Sequence, residues 1–174
     1  MNRHVSSVIP LYNKQNSIAA TLHSVLAQTY TNYEIIVVDD GSTDDSASIV
    51  ERIGSPLVQL LRQENRGVSA ARNRAMAQAT GRWVALLDGD DCWAEDYLQE
   101  VEHLIAAYPD CGAYGMGFWV ETDGRRTLGS FPAQEGEVDF FSLSMTRYVL
   151  IPSATTLNRE LALSLGGFPE GMRM

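Results

Sequence analysis

Three aspartates lie within four residues of one another in the segment DGDD, at Asp88, Asp90 and Asp91. Carboxylates this close repel one another, so each favours its protonated form unless a cation neutralises the cluster. A hard divalent ion such as Mg²⁺ or Mn²⁺ can do so, because it prefers oxygen ligands. Gly89 permits a tight turn and leaves room for a phosphate or a sugar to approach. The segment predicts either a metal site that bridges a diphosphate, or a solvated acidic turn that caps the next helix.

A second polar cluster, Asp39-Asp40-Gly41-Ser42, follows an apolar run. A carboxylate at the end of a strand can accept a hydrogen bond from a base N–H or a ribose hydroxyl. The same residues could instead form a turn in which Ser42 caps the following helix. Both interpretations can hold together, with Asp40 facing a ligand while Ser42 and Asp45 form a capping pair.

Further polar residues could complete a pocket for an anion or a nucleotide. Arg72 lies near the start of an alanine-rich helix, where backbone N–H groups and an arginine suit an anion. Taken alone, Arg72 would rather indicate a solvated helix face, which it would share with Arg74. Tyr12 and Asn13 form a loop after Pro10, and the ring of Tyr12 could stack on a base or only pack the loop.

The hydrophobic pattern predicts how these residues are positioned, because strand-like and helix-like segments alternate four times. The predicted strands cover residues 5–9, 33–38, 58–61 and 83–87, and the predicted helices cover 16–28, a segment ending at Gly54, 69–79 and 95–108. This alternation indicates a three-layer α/β/α fold with a mostly parallel central sheet. Ligands bind beyond the carboxyl ends of the strands in such sheets. The polar clusters follow the first, second and fourth strands, so we expect them to meet at one edge.

The pattern after Cys111 is weaker. It predicts a strand over 114–121, a hairpin turn at Asp123-Gly124, an extended segment over 151–157 and a helix over 160–165 that stops at Gly166-Gly167. The length of 174 residues suits one domain.

Composition and hydropathy argue against nucleic-acid binding, a signal peptide and a membrane-spanning segment. The formal net charge of -9 disfavours binding to nucleic acid. The first residues lack the apolar core of a signal peptide, and no run approaches the roughly 20 apolar residues that span a bilayer. We therefore expect a cytoplasmic protein without an integral membrane segment.

The order of the motifs resembles the family 2 glycosyltransferases, which have the GT-A fold. The resemblance rests on five segments in sequence: VIPLYNK, SVLAQTYTNYEIIVVDDGSTDDS, ENRGVSAARNRA, GRWVALLDGDD and LGGFPE. It is strong over residues 5–95 and weaker beyond. The resemblance implies a single GT-A domain over residues 1–174, with a Rossmann-like nucleotide-sugar-binding part at about 1–110 and the start of an acceptor part at about 111–174.

The family resemblance also implies an activity and a set of roles. The activity is inverting transfer of a sugar from a nucleotide diphosphate, most simply of the UDP type, to the hydroxyl of a sugar or lipid-linked acceptor in polysaccharide or glycoconjugate synthesis. A lipid-linked acceptor would place the protein at the inner face of the membrane. The residues matching the family's nucleotide site are Pro10, Tyr12, Asn13, Asp39, Asp40, Arg72, Asp88 and Gly89. Those matching its Mn²⁺ or Mg²⁺ site are Asp90, Asp91 and Asp88.

The family's catalytic base usually comes from an acidic pair shortly after the GGF-type motif. Here GGFPE is followed only by four residues, which include no such pair. We therefore expect the sequence to be part of a longer protein, with the base beyond Met174. Transferase activity of residues 1–174 would instead favour Glu170 or Asp139.

Two other classes of protein are possible on the residues alone. A sugar-phosphate nucleotidyltransferase also binds Mg²⁺ through aspartates, but it would carry a glycine-rich basic loop where this sequence has PLYNK. A phosphoryl-accepting receiver domain needs a lysine late in the chain, whereas Lys14 is the only lysine.

Overall fold

The computed structural model describes residues 5–129, 136 and 151–171. In these ranges the elements follow in this order: β1 (Val5–Leu11), α1 (Ile18–Leu26), β2 (Tyr33–Asp39), α2 (Ser46–Ile53), β3 (Val58–Arg62), α3 (Val68–Gln78), β4 (Trp83–Leu86), α4 (Tyr97–Ala107), β5 (Ala113–Gly115), β6 (Trp119–Thr122), β7 (Arg125–Leu128), a 3₁₀ turn (Pro152–Ala154), β8 (Thr155–Asn158) and α5 (Arg159–Ser164). None of the helices described is both long and apolar enough to cross a membrane.

The central sheet has the strand order β3-β2-β1-β4-β8-β5. β1 pairs in parallel with β2 and β4, and β2 pairs in parallel with β3. β8 runs antiparallel to both β4 and β5. The carboxyl ends of the first four strands therefore lie at one edge, and the polar residues that follow them are brought together there as predicted.

Helices cover both faces of this sheet because its strands are apolar on both sides. Ile35 and Val37 of β2 belong to one core cluster, which includes residues of α1, α2 and α4. Ile36 and Val38 belong to the other, which includes Ala71 and Ala75 of α3. Successive side chains of a strand point to opposite faces, so the run IIVV fills both cores. The three-layer α/β/α fold with a mostly parallel sheet is confirmed.

The less regular second half differs from its predicted structure. The stretch 114–121 is not one strand, since β5 ends at Gly115 and β6 begins at Trp119. The hairpin turn is confirmed: Asp123 and Gly124 have φ of 51° and 74° and join β6 to β7. Positive φ at both central residues is what a two-residue hairpin with a type I′ turn requires.

Ser42 does not cap α2, contrary to the sequence prediction. Its hydroxyl accepts a hydrogen bond from Asn13 N at 3.1 Å. Asp44 holds the first turn instead, because its Oδ1 accepts from Ser46 N at 3.0 Å. The predicted stop is confirmed at Gly54, which has φ of 62°. The local pattern predicted that the Ser42 hydroxyl oxygen caps the helix, but this oxygen is instead bonded to Asn13, 29 residues earlier in the chain.

Candidate functional site

The candidate site lies where the strand order of the sheet reverses. From β1 the chain proceeds through β2 to β3 on one side, whereas β4 lies on the other side of β1. The loops that leave two such neighbouring strands diverge, and the crevice between them is the usual ligand position in an open α/β sheet. Tyr12, Asn13 and Lys14 lie in the loop after β1, and residues 88–91 lie in the loop after β4.

Asn13 joins the loops that follow β1 and β2. Its Oδ1 accepts a hydrogen bond from Thr43 N at 2.8 Å, and its N–H donates to Ser42 Oγ. Asn13 has φ of 50°, a left-handed conformation in which asparagine is enriched. The neighbouring Tyr12 is 47% exposed, so it is only partly packed into the loop. Asn13 therefore has a structural role here, while Tyr12 presents a ring at the crevice.

Pro10 and Gly89 bring the loops after β1 and β4 together. A Cβ added to Gly89 would lie 3.3 Å from Pro10 O and 3.5 Å from Lys14 Cγ. Ser17 Oγ also donates to Gly89 O at 2.8 Å. The space beside the Gly89 Cα is therefore filled by the chain itself, rather than left open for a phosphate or sugar as the sequence suggested.

Asp40 holds the loop that enters α3. Its Oδ1 accepts from Gln63 Nε2 at 2.7 Å and from Arg66 N at 2.9 Å, and its Oδ2 accepts from Gly67 N at 2.8 Å. The residue is only 3% exposed. A carboxylate has about four acceptor positions, so the chain itself uses most of those of Asp40.

Asp39, beside it, is less fully bonded. Its Oδ1 accepts from Ser42 N at 3.1 Å, and its Oδ2 has no hydrogen-bond partner among the described residues. Asp39 is buried at the last position of β2. Of the two neighbouring aspartates, Asp39 keeps more acceptor capacity for a ligand.

Arg72 is buried and paired with Asp88. The two groups are joined by a 2.6 Å contact between Arg72 Nη2 and Asp88 Oδ1, with side chains 8% and 34% exposed. The solvated-face interpretation of Arg72 was therefore wrong. Position 72 precedes Ala75 and Met76 by three and four residues, and both are buried. This helical spacing was the signal in the sequence that Arg72 faces inward.

The three carboxylates of DGDD point to different partners. Asp88 contacts Arg72, Asp90 forms an ion pair with Lys14, and Asp91 Oδ2 accepts from Ser153 Oγ at 2.6 Å. Within the described residues no group of three or more His, Cys, Asp or Glu side chains is arranged to hold a metal ion. The turn is closed by a hydrogen bond from Asp91 N to Asp88 O at 3.0 Å.

The same turn nevertheless fits a metal that is shared with a ligand. Mg²⁺-type sites often use only one or two protein carboxylates, with waters and substrate phosphates completing the shell. Asp90 and Asp91 are both exposed, and the side chain of each has one partner among the residues that the structure describes. Partial burial raises the pKa of the neighbouring Cys92 thiol, and the negative charge of Asp91 adds to that effect.

Sequence reasoning missed three residues at this edge. Lys14 could have been noticed, as the only lysine directly after Tyr12-Asn13. Ser153 gave no signal, yet its hydroxyl accepts from Asp88 N at 3.0 Å while it donates to Asp91. Phe168 lies beneath Arg72, with 5.4 Å between the guanidinium carbon and the ring centroid.

Glu170 lies close to this edge but is occupied by two donors. Arg66 Nη2 donates to its Oε2 at 3.0 Å, and Asn73 Nδ2 donates to its Oε1 at 3.1 Å. Asp139, the other carboxylate considered as a base, lies outside the described residues.

Comparison with known proteins fixes the family. Residues 6–168 match the profile of the family described as Glycosyl transferase family 2. The chain belongs to glycosyl transferase family 2. The match spans both the strong and the weak part of the resemblance noted in the sequence.

One family 2 relative is the UDP-Glc:alpha-D-GlcNAc-diphosphoundecaprenol beta-1,3-glucosyltransferase WfaP of Escherichia coli. It is 37% identical over 120 residues, which are 68% of this chain and 47% of WfaP. The chain thus spans about half the length of this relative.

Solved structures of family 2-like transferases share the fold. Staphylococcus aureus TarS 1–349 in complex with UDP-GlcNAc superposes with a TM-score of 0.83 at 27% identity, covering 97% of this chain and 49% of TarS. The mannosyltransferase PcManGT from Pyrobaculum calidifontis, in complex with GDP-Man and Mn²⁺, gives a TM-score of 0.73 at 28% identity, covering 95% and 47%. The chain therefore has the GT-A fold of these glycosyltransferases.

Proposed function

We propose that this chain binds a nucleotide-diphosphate sugar of the UDP type at the crevice and transfers the sugar, with inversion, to an acceptor hydroxyl. The observation that carries the proposal is the meeting, at one sheet edge, of an exposed ring, buried acceptors, a buried cation and exposed carboxylates: Tyr12, Asp39, Arg72 and Asp90. A nucleotide sugar presents a planar base, a ribose and a charged diphosphate in that order. The ring suits the base, the buried acceptor suits the base or the ribose, and the cation and the exposed carboxylates suit the diphosphate with its metal.

The base and ribose would contact the loops after β1 and β2. Tyr12 offers a ring for stacking, and Oδ2 of Asp39 offers an acceptor for a base N–H or a ribose hydroxyl. Asp40 supports the same pocket mainly through the loop it holds, with one acceptor position remaining for the ligand. Asp88, fixed by Arg72 at 2.6 Å, is nearer the ribose than the metal in this assignment. That TarS was solved with UDP-GlcNAc supports the UDP type.

The diphosphate would lie over the turn of residues 88–91. We assign Asp90 as the direct ligand of Mn²⁺ or Mg²⁺, with Asp91 as a second oxygen donor. A divalent ion held there would stabilise the negative charge that develops on the leaving diphosphate. Lys14, which pairs with Asp90 in this structure, would be a further cation close to the phosphates. PcManGT, solved with GDP-Man and Mn²⁺, supports a metal in this fold.

Inversion requires the acceptor hydroxyl to attack from the side opposite the diphosphate while a carboxylate removes its proton. Glu170 is poorly suited to this task, because both of its oxygens are held by Arg66 and Asn73. We therefore propose that a carboxylate other than Glu170 serves as the base.

The acceptor we propose is a sugar or a lipid-linked sugar in the synthesis of a polysaccharide or glycoconjugate. The name of WfaP, which gives a diphosphoundecaprenol-linked sugar as acceptor, supports a lipid-linked substrate. Such an acceptor would place the reaction at the cytoplasmic face of a membrane. The nucleotidyltransferase alternative is not favoured, because the loop after β1 contains no glycine and is tied to Thr43 through Asn13.

Calorimetric titration with UDP and Mn²⁺ tests this proposal. We expect UDP to bind with an affinity that increases in Mn²⁺, and Asp90→Ala to abolish that metal dependence while retaining weaker, metal-independent binding. The matched control is Asp110→Ala, an exposed aspartate between α4 and β5, which lies at the opposite edge of the sheet.

Two results would contradict the proposal. Equal UDP affinity with and without Mn²⁺ in the unmodified chain would remove the metal site from residues 88–91. A preference for a free triphosphate over UDP and UDP-sugars would favour a nucleotidyltransferase instead.

A further inference from the structure

The segment after α5 is attached to α3 through Asn73. Asn73 Oδ1 accepts a hydrogen bond from Phe168 N at 2.7 Å, and Asn73 Nδ2 donates to Phe168 O at 2.8 Å. The same amide group donates to Glu170, which also pairs with Arg66 at 3.0 Å. One side chain of α3 thus fixes both backbone groups of Phe168, in a segment 95 residues further along the chain.

Glycine permits this close attachment. Gly166 and Gly167 have φ of 88° and 70°, a region that L side chains rarely adopt. A Cβ on Gly167 would lie 2.5 Å from Asn73 Oδ1, so a larger residue there would displace the asparagine. The two glycines therefore allow the chain to turn so that Phe168 lies against α3.

The ring of Phe168 supports the guanidinium of Arg72, the residue directly before Asn73. The guanidinium carbon lies 5.4 Å from the ring centroid, within the range of a cation–π contact. Arg72 Nη2 contacts Asp88, but the buried Nε has no hydrogen-bond partner among the described residues. The Asp88 carboxylate and the Phe168 ring are thus the contacts that we identify as fixing the orientation of this buried cation.

We infer that Asn73 and Phe168 are positioning residues for Arg72, so that the affinity of the donor site depends on residues 166–170. The inference rests on the proposed function, in which Arg72 is the buried cation of the donor site and fixes Asp88 near the ribose. Phe168 need not touch the donor: it acts by holding the arginine, and Asn73 acts by holding Phe168. A change in segment 166–170 would then be felt at the nucleotide through Arg72.

A double-mutant cycle on UDP affinity in Mn²⁺ tests this inference. We expect Phe168→Leu, which keeps an apolar side chain but removes the ring, to weaken UDP binding about fivefold. Phe168→Tyr keeps the ring and should restore the affinity. In an Arg72→Met background, Phe168→Leu should cause no further loss of affinity, because the residue through which it acts is gone.

A purely structural role for Phe168 gives a different result. Phe168→Leu would then lower the thermal midpoint without changing the UDP affinity of the folded protein, or would change it by the same factor in both backgrounds. Either result overturns the inference. Absence of UDP binding by the unmodified chain would instead overturn the proposed function, so the two failures are distinguishable.

Asn73→Ala provides a second, independent variant. It removes the attachment but leaves the ring in the chain, and we expect about a threefold loss of UDP affinity that also disappears in the Arg72→Met background. Leu165→Ala is the matched control, because Leu165 lies just before the same glycines and is 76% exposed. Unchanged UDP affinity in Asn73→Ala would count against the inference even if Phe168→Leu failed to fold.

Discussion

Arg72 and Asp88 form an ion pair of 2.6 Å that joins α3 to the end of β4, with the arginine almost wholly buried and the aspartate about one-third exposed. The pair connects helix α3 with the loop of residues 88–91, so it joins two elements of the candidate donor site. Arg72, like Lys14, also places a positive charge among the carboxylates of this edge, which reduces the repulsion that a diphosphate would meet there.

Replacement of the arginine should therefore affect both stability and binding. Arg72→Met leaves Asp88 without its partner, and we expect a loss of about 1–2 kcal/mol in the free energy of unfolding. This is less than the 3–5 kcal/mol typical of fully buried pairs, because water screens the partly exposed Asp88. We also expect UDP affinity to fall at least tenfold. Urea unfolding and calorimetry measure the two effects.

The exposed Arg125, on β7 of the separate two-stranded sheet, provides the control for this prediction. Arg125→Met should change the free energy of unfolding by less than about 0.5 kcal/mol and leave UDP affinity unaltered. Adding Asp88→Asn to Arg72→Met should recover part of the lost stability, since no unpaired charge then remains. Purely additive losses would argue against a coupled pair.

Acid should weaken the start of α2 through Asp44. Burial raises the pKa of this carboxyl, but the hydrogen bonds from Ser46 and Gln15 outweigh it, so its pKa lies below the ordinary value. A lowered pKa in the folded state contributes stability that is present above the unfolded pKa and is lost as pH falls through the folded pKa. We expect Asp44→Ala to cost about 1 kcal/mol at pH 7, and this difference to shrink below about pH 4.

Asp45→Ala is the comparison for Asp44, because Asp45 is the N-cap residue of α2 but makes no side-chain capping hydrogen bond. It should be close to neutral at pH 7 and should show no comparable pH dependence. Urea unfolding at several pH values measures both variants. A constant difference between Asp44→Ala and the unmodified chain from pH 7 to pH 3 would show that the charge of Asp44 is not involved.

Gly41→Ala should disturb the loop that Asp40 holds. Gly41 has φ of 77°, and an added Cβ would lie 2.9 Å from the backbone nitrogen of Asn65. Gly54 also has positive φ, at 62°, but its nearest neighbouring atom would be 3.7 Å away. Both alanine variants incur the left-handed conformational cost of roughly 1–2 kcal/mol, and only Gly41→Ala adds a clash.

We therefore expect Gly41→Ala to be at least about 1 kcal/mol less stable than Gly54→Ala, measured by urea unfolding. Only Gly41→Ala should lower UDP affinity, because only it displaces the loop leading to Arg66 and Gly67. If the two variants lost equal stability and both retained UDP affinity, the loop after β2 would not be shaping the donor site.

The position of the polar clusters was determined by the sequence itself. Apolar, β-branched runs such as residues 35–38 favour strands of a sheet with both faces covered, and the carboxyl ends of parallel strands lie at a common edge. Asp39, Asp40 and the DGDD segment follow such strands, so their meeting could be predicted from hydrophobic period and chain order. The roles of these residues in binding a nucleotide and a metal follow from the resemblance to family 2, and they stay predictions.

Only the tertiary structure decided which atoms meet. Ser153 contacts Asp91 across 62 residues, and Asn73 contacts Phe168 across 95. Neither pairing has a local pattern, because hydrogen bonds between distant segments depend on how the layers pack and not on periodicity. The same holds for the three carboxylates of DGDD, which the sequence suggested as one metal cluster and which the fold directs to Arg72, Lys14 and Ser153. The sequence by itself determines at which edge of the sheet the polar residues lie. The packing of distant segments determines which of their carboxylates remain available to a ligand or a metal.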